Sequence, residues 1–319
     1  MLSLPVPAPL VGAGTRDRLE NRRHIGACCC AAAAVTATLL GWTPTSAMAS
    51  TVALAAVAIG LPHGAFDIVI GPRMFRPSAF FPMYMTVAAI MLLMWLLVPF
   101  AGLVTFFVAS WFHFARGDAA HHGDLRRAGH LLGASTAGCA IGLPLALHAT
   151  LVVPVLSVLL LGTATPTAEH VSVAGWMIVC PSIITGGVAA FAALRGRRYP
   201  AVVEVATIAL LAAVVHPLIS FALYFALWHS PRHLIALGLE RKSAMSAACA
   251  TAASLAMGTI AWHVCAPSAA TATRGVFVAL AALTVPHLVV TEYWGLAAAH
   301  FFGRATNVAV ADIALPSRE

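Results

Sequence analysis

Residues 201–239, AVVEVATIALLAAVVHPLISFALYFALWHSPRHLIALGL, form an apolar run that is too long for one membrane-spanning helix. A spanning helix needs about 20 apolar residues to cross the hydrocarbon layer, so the run predicts two consecutive helices. His216-Pro217 marks the break between them, because the residue before a proline is pushed out of the helical region. The second helix would carry His229 and His233, which lie four positions apart.

The rest of the chain has the same character. Of its 319 residues, 61% are hydrophobic and 9% are charged, whereas a soluble domain has about 25% charged residues. This composition excludes an ordinary soluble globule and predicts an all-α, polytopic transmembrane bundle of about ten helices. We expect a transmembrane domain over 26–303, preceded by a cytoplasmic segment over 1–25 and followed by a tail over 304–319. The apolar runs of this domain cover 26–44, 51–70, 81–99, 103–115, 130–161, 171–194, 201–215, 216–239, 245–265 and 275–300.

Positive residues indicate how the helices are oriented. Lysine and arginine concentrate in cytoplasmic loops, and a layout with both termini in the cytoplasm places only Arg274 clearly outside. The protein would then be a multi-pass protein of the inner membrane. The formal net charge of +7 comes from small clusters between apolar runs, so we expect no nucleic-acid partner. The inner loops would hold Arg73, Arg76, Arg116, Arg126, Arg127, Arg195, Arg197, Arg198, Arg241 and Lys242.

Two segments leave alternatives open. The arginines before the run 26–44 fit either a signal peptide or a first transmembrane helix, and we expect a helix that is retained. In the run 130–161, Pro144, His148 and Pro154 could form a kink, a re-entrant turn or an additional span.

Fourteen histidines are unexpected in so apolar a chain. Ionisable groups inside a bilayer are costly and usually mark a functional site. Four histidines lie in apolar or aromatic segments, namely His63, His113, His229 and His233, and the ten-helix layout places them together in the inner half of the membrane. Five others lie in polar loops or near span ends, where we expect them to be solvated or interfacial: His24, His121, His122, His130 and His170.

The four buried histidines predict a metal site. Each alone could make a hydrogen bond between helices, but one ion would satisfy all four acceptor nitrogens at once. His229 and His233 would share one face of a helix, and Pro231 between them would either start a helix or kink a continuous one. A kink would free the carbonyl of Leu227. Three residues are candidates for groups that bond the metal-binding histidines and orient them, namely Asp67, Glu292 and His287.

Neutral imidazoles suit iron, copper or zinc. The lack of a cysteine among the four candidates argues against a structural zinc site, and a ferrous centre would keep open positions for dioxygen. Aromatic residues surround the candidates, and they form either plain core or a tunnel for a long apolar molecule. These tunnel candidates are Phe106, Phe107, Trp111, Phe112, Tyr224, Phe225 and Trp228.

Three blocks of the sequence resemble the signature segments of one family. They are Gly60-Leu-Pro-His-Gly-Ala-Phe-Asp67, Trp111-Phe-His-Phe114 and Phe221-Ala-Leu-Tyr-Phe-Ala-Leu-Trp-His-Ser-Pro-Arg-His-Leu234. The chain thereby resembles the Brp/Blh family, bacterial and archaeal β-carotene 15,15'-dioxygenases linked to rhodopsin systems. The resemblance runs from about Gly60 to Glu292 and includes Val285-Pro-His287.

This resemblance implies an integral membrane enzyme that uses Fe(II) and O2 to split the central double bond of β-carotene into two molecules of retinal. It implies that His63, His113, His229 and His233 bind the iron, and it assigns no direct ligand role to His287. The expected partners are β-carotene or a related carotenoid, O2, membrane lipid and a downstream retinal-binding rhodopsin. A role for a tyrosine near the iron stays open.

Three other classes of protein share some of these features. A membrane di-iron hydroxylase or desaturase would need about eight ligands in several histidine clusters, and the chain has one HxxxH pair. A metal- or proton-handling transporter would place carboxylates along a path, for which Asp67, Glu204 and Glu292 are candidates. A haem-binding cytochrome would use axial histidines on facing helices. The oligomeric state is not predictable from these patterns.

Overall fold

The computed structural model describes residues 13–122, 127–236, 245, 252, 274–275 and 277–292. Throughout this part the chain is helical, with turns between the helices and no β-strand, so the all-α fold class is confirmed there. The bounds of the helices are α1 (Ala13–Leu39), α2 (Ser46–Ala65), α3 (Asp67–Met74), α4 (Pro77–Leu97), α5 (Pro99–His121), α6 (Arg127–Leu147), α7 (Ala149–Leu159), α8 (Ala168–Arg195), α9 (Tyr199–Val214), α10 (Pro217–Tyr224), a π-helical turn (Phe225–His229), α11 (Ser230–Ala236) and α12 (Phe277–Glu292).

Local sequence explains many of the helix starts. The hydroxyl of Thr45 accepts a hydrogen bond from the amide of Met48 at 3.2 Å, and Thr167 accepts one from the amide of His170 at 3.2 Å. Each threonine satisfies one of the amides that a helix leaves without an internal partner. Helices α4, α5 and α10 begin with proline, whose fixed φ suits the first helical position.

Breaks in the apolar runs follow proline and histidine positions. The predicted break at His216-Pro217 is confirmed, since α9 ends at Val214 and α10 begins at Pro217. The run 130–161 divides at His148 into α6 and the 11-residue helix α7. The His148 ring lies 3.0 Å from the carbonyl oxygen of Ala213, so this break is tied to the end of α9.

The run 51–70 was expected to form one helix, but it breaks at Phe66. Helix α2 ends at Ala65 and α3 begins at Asp67. Both Phe66 and Asp67 are buried. The break places the Asp67 carboxylate in the first turn of α3, where the helix dipole favours a negative charge.

The segment that carries the HxxxH pair is a continuous helix with a widened turn. Tyr224 and Ser230, which flank the π turn, keep right-handed helical backbone angles, and α11 follows directly, so the helix continues through Pro231. Pro231 has no amide hydrogen to donate to the carbonyl of Leu227. Instead, Arg23 of α1 donates to that carbonyl at 2.8 Å, so the first helix is bonded to the backbone beside the predicted site.

Helix α6 is the centre of the packing. Most of its residues are buried, and it packs against α5, α8 and α9. Glycines allow this closeness: a Cβ added at Gly142 would lie 2.9 Å from the Val179 side chain, so the two helices approach closely there. Helices α4 and α8 instead expose large apolar side chains, including Leu97 and Met177.

Three helices in the described part are long and apolar enough to cross a membrane. They are Ser78–Leu97, Arg127–Leu147 and Ala168–Arg195. Shorter apolar helices accompany them, and the predicted run 245–265 lies almost wholly outside the described residues. The expected ten-helix topology, the position of both termini and the domain limits stay predictions.

Candidate metal centre

Three of the predicted ligands meet inside the helical bundle. His113 comes from α5, His229 ends the π turn and His233 lies in the next turn, in α11. One ligand nitrogen from each lies within 4.8 Å of the other two. His113 and His229 are almost fully buried, and their Nε2 atoms are 3.1 Å apart.

The fourth predicted ligand, His63, lies in α2, and its side chain is outside the described residues. Helix α2 packs against α10, the π turn and α11. The backbone that carries His63 therefore runs beside the segment that holds His229 and His233.

A further histidine lies against this cluster. The centre of the His287 ring is 4.9 Å from that of His113 and 6.0 Å from that of His233. Its Nδ1 atom is 2.9 Å from each carboxylate oxygen of Asp67, and the Tyr84 hydroxyl donates to the same carboxylate at 2.9 Å. Asp67, expected to support a ligand of the metal, bonds His287.

The other carboxylate expected to support a ligand is placed differently. Glu292 at the end of α12 forms an ion pair with Arg116 of α5, with N–O distances of 2.7 and 3.2 Å. Both side chains are partly exposed. Glu292 therefore ties α12 to α5, one turn beyond His113, and its described contact is with an arginine.

A buried ion cluster lies behind the paired histidines. Arg232 donates through Nη1 to Asp118 and through Nη2 pairs with Glu204. All three side chains are at most 6% exposed. The Tyr224 hydroxyl donates to the second oxygen of Asp118 at 2.9 Å. The arginine that separates the two histidines in sequence is thus fixed from α5 and α9.

Two histidines that we expected to be solvated or interfacial lie next to the Glu204 carboxylate. His24 Nδ1 lies 3.2 Å from one of its oxygens and His122 Nε2 lies 3.5 Å from the other. The expectation of a solvated position is wrong for His122, which is 8% exposed. Its neighbours along the chain are polar, but its ring lies against the buried Glu204 carboxylate of α9. His130 and His170 are exposed, as expected.

Sequence inspection missed the part played by Asp118. The signal was present, because an acid five positions after His113 in an apolar helix is as costly in a bilayer as a histidine. Arg232, one position before His233, pairs with both Asp118 and Glu204.

Comparison with known proteins identifies the family. A family model described as beta-carotene 15,15'-dioxygenase matches residues 54–295 of the chain. The chain belongs to this family. A curated relative named beta-carotene 15,15'-dioxygenase, from the uncultured marine bacterium 66A03, is 28% identical over 256 residues, which cover 74% of this chain and 90% of the relative. No solved structure matches the chain.

In this member of the β-carotene dioxygenase family, the seven aromatic tunnel candidates divide into three groups by their position. Phe106 and Phe107 line an apolar pocket between α5, α6, α7, α10 and α12, together with Phe221. Trp111 and Phe112 are 38% and 40% exposed. The remaining tunnel candidates are packed in the core around the histidines, namely Tyr224, Phe225 and Trp228.

The pocket adjoins the histidine cluster. Ser110, which lines it, is one helical turn before His113 on α5. Phe221 packs against Phe114 with ring centres 6.2 Å apart, and the Phe114 ring lies 4.4 Å from that of His229. An apolar molecule in the pocket would therefore be separated from the cluster by about one layer of side chains.

The distance between the Nε2 atoms of His113 and His229 fits a shared metal ion. Two nitrogens that each lie about 2.1 Å from one ion are about 3.0–3.4 Å apart, and the Nε2 atoms of His113 and His229 are separated by 3.1 Å. A neutral imidazole offers one lone pair and one N–H group, so a pair of facing nitrogens can serve one ion with both lone pairs. Such all-nitrogen donors suit iron, copper or zinc.

Close backbone packing shapes the site. A Cβ added at Gly117 of α5 would lie 3.1 Å from Nε2 of His233 and 3.7 Å from Cε1 of His229. A side chain at this position would require the His233 ring to move by a few tenths of an ångström, whereas its contact with His229 would be an ordinary one. Gly117 is therefore part of the wall of the site.

Proposed function

We propose that the chain is a membrane-embedded, non-haem Fe(II) dioxygenase that splits the central double bond of β-carotene with O2 and yields two molecules of all-trans-retinal. The observation that carries the proposal is the His113–His229–His233 cluster, in which His113 and His229 are buried, in a chain that belongs to the β-carotene 15,15'-dioxygenase family. The metal would be held by these three histidines and by His63, whose helix packs beside them.

The reaction needs few groups from the protein. Fe(II), when bound, supplies the means to activate O2 at positions that the histidines leave open. The C=C bond breaks and each carbon gains one oxygen atom, so all atoms of substrate and O2 appear in the two aldehydes. No proton is gained or lost. The protein's tasks are therefore to hold the metal, to position the polyene and to exclude water and competing oxidation.

The apolar pocket supports a role in holding the substrate. It is lined by Phe106, Phe107 and Phe221 and adjoins the histidine cluster. A C40 polyene is nearly as long as the hydrocarbon layer is thick, about 30 Å. With the central bond at the metal, one half of the molecule would extend about 15 Å to either side, and we assign the pocket to one of these halves. Entry from the lipid between helices is the natural route for such a substrate.

The membrane arrangement is part of the proposal. Three helices are long and apolar enough to span, and we infer about ten spans, both termini in the cytoplasm and a location in the inner membrane. The arginines in the proposed inner loops support this orientation. Retinal released into the lipid would be available to a retinal-binding rhodopsin.

The rival classes predict other sites. A di-iron enzyme needs a second histidine cluster, and the described residues contain one group of three that could hold an ion. A transporter needs carboxylates that exchange partners, whereas Asp118 and Glu204 share one arginine. The dioxygenase therefore remains the function that the site supports best.

Expression in cells that accumulate β-carotene tests the function. Wild-type protein should remove the orange colour and produce retinal, measured by chromatography, and purified protein should contain iron. His229→Ala should remove both the activity and the iron while the protein still inserts. His130→Ala is the matched control, because His130 is exposed on α6. Membrane-inserted, iron-loaded wild-type protein that forms no apocarotenal from any carotenoid would refute the proposal.

A further inference from the structure

The contact between His287 and Asp67 joins residues that are 220 positions apart in the chain. His287 is 6% exposed and Asp67 is 1% exposed. The carboxylate is held by the Tyr84 hydroxyl from α4, and both of its oxygens lie 2.9 Å from Nδ1 of His287. Residues of α3, α4 and α12 thus cooperate to fix one imidazole ring.

The fixed ring lies where a further ligand of the metal would lie. A nitrogen bound at about 2.1 Å places the centre of its ring about 3.2 Å from the ion, so two rings on one ion are at most about 6.5 Å apart. The rings of His113, His229 and His233 are 4.8–4.9 Å apart. The His287 ring is 4.9 Å from that of His113 and 6.0 Å from that of His233, which is within the same limit.

The chemistry of the ring agrees with its position. A histidine that binds a metal usually donates its other N–H group to a carboxylate or carbonyl, which fixes the tautomer and makes the ligand more basic. Asp67 accepts from Nδ1 of His287 in this way. The lone pair is then on Nε2, the nitrogen on the opposite edge of the ring from Asp67.

We propose that His287 is a direct ligand of the metal and that Asp67, held by Tyr84, is its positioning residue. The proposal rests on the metal site of the proposed function and adds a donor to it. It also ties α12 to the centre, so the metal would link α5, α11 and α12. Glu292, one turn beyond His287, also holds α12 to α5 through Arg116.

The alternative is a structural ion pair, in which a protonated His287 bonds Asp67 and no metal is involved. The two cases differ in what binds Nε2. In a structural pair, loss of the ring would cost stability but would leave the metal and its ligands unchanged. In the proposed arrangement, loss of the ring removes one nitrogen from the metal.

Full-length protein in detergent provides the test. Iron content is measured by mass spectrometry, and the number of imidazole ligands is measured by X-ray absorption of the Fe(II) protein. His287→Gly should lower the iron content or reduce the imidazole count by one, and added imidazole should restore the lost value. Asp67→Asn should weaken iron binding by about 10- to 100-fold. The control is His170→Ala, at an exposed position near the start of α8.

The outcomes separate the two proposals. Wild-type protein without iron would refute the proposed function, and this inference with it. Iron-loaded wild-type protein together with a His287→Gly variant of unchanged iron content and unchanged imidazole count would refute the inference alone. If His287→Gly does not fold, Asp67→Asn decides, because it keeps the shape of the side chain but removes its charge and replaces one acceptor oxygen by an NH2 donor. Unchanged iron affinity there would refute the role of Asp67 and His287.

Discussion

Replacement of Arg232 by methionine should destabilise the protein strongly. Methionine keeps much of the length of the side chain and removes the charge. Arg232 is 6% exposed and its guanidinium pairs with both Asp118 and Glu204, so its loss leaves two carboxylates in the interior without their cation. Removal of one partner from a buried ion pair costs about 3–5 kcal/mol.

The remaining contacts of Asp118 and Glu204 indicate which carboxylate destabilises the Arg232 variant more. Glu204 would keep His24 and His122 at 3.2 and 3.5 Å, whereas the described contacts of Asp118 would reduce to the Tyr224 hydroxyl at 2.9 Å. Adding Asp118→Asn to the Arg232 variant should therefore recover more stability than adding Glu204→Gln.

The free energy of unfolding is measured in mixed micelles with increasing SDS. A loss of about 3–5 kcal/mol would shift the folding equilibrium by roughly two to three and a half orders of magnitude. Arg195→Met is the matched control, because Arg195 is exposed and lies 4.4 Å from the Phe191 ring, a contact worth at most about 1 kcal/mol. A loss below about 1 kcal/mol for Arg232→Met would refute the reasoning, as would equal recovery by the two second changes.

Three other changes test separate features. Gly117→Ala should displace His233, because Nε2 of His233 would be 3.1 Å from the new Cβ. The variant should contain less iron, while its circular dichroism spectrum is retained. Gly187→Ala, at an open position of α8, is the control and should leave the iron content unchanged. Ala140→Phe should fill the apolar pocket and reduce β-carotene cleavage at unchanged iron content, so full activity would exclude the pocket from substrate binding. Arg23→Met should cost about 1–3 kcal/mol in SDS unfolding, because a partly buried carbonyl loses a charged donor. A change of a few tenths would contradict this.

The sequence was most informative where proline or helical spacing acts locally. Pro217 ended one apolar helix and began the next, and Pro231 was expected to free the carbonyl of Leu227 if the helix continued, as it does. The i, i+4 spacing placed His229 and His233 on one side of a helix. These features depend on a few neighbouring residues, so the linear pattern is enough.

Contacts between distant segments were much harder to predict. Asp67 precedes His287 by 220 residues, and nothing in either segment specifies the other. The break at Phe66 was missed because the run 51–70 is apolar throughout its first part and has no proline at the break. Which acids pair with Arg232 depends on how α5 and α9 pack against the helix that carries it, and no local pattern indicates this.

Arg23 and Pro231 do not bond each other, yet their effects on stability should depend on one another. Arg23 donates to the backbone carbonyl of Leu227, so the identity of the side chain at position 227 is irrelevant to that bond. What matters is whether position 231 supplies an amide. With alanine at 231 the helix could satisfy the carbonyl itself, and substitution of Arg23 would then cost less. In a genetic screen, substitutions at Arg23 and Pro231 would therefore show epistasis between the first helix and the metal-binding segment. The coupling passes through the backbone carbonyl of residue 227, which no substitution at that position removes.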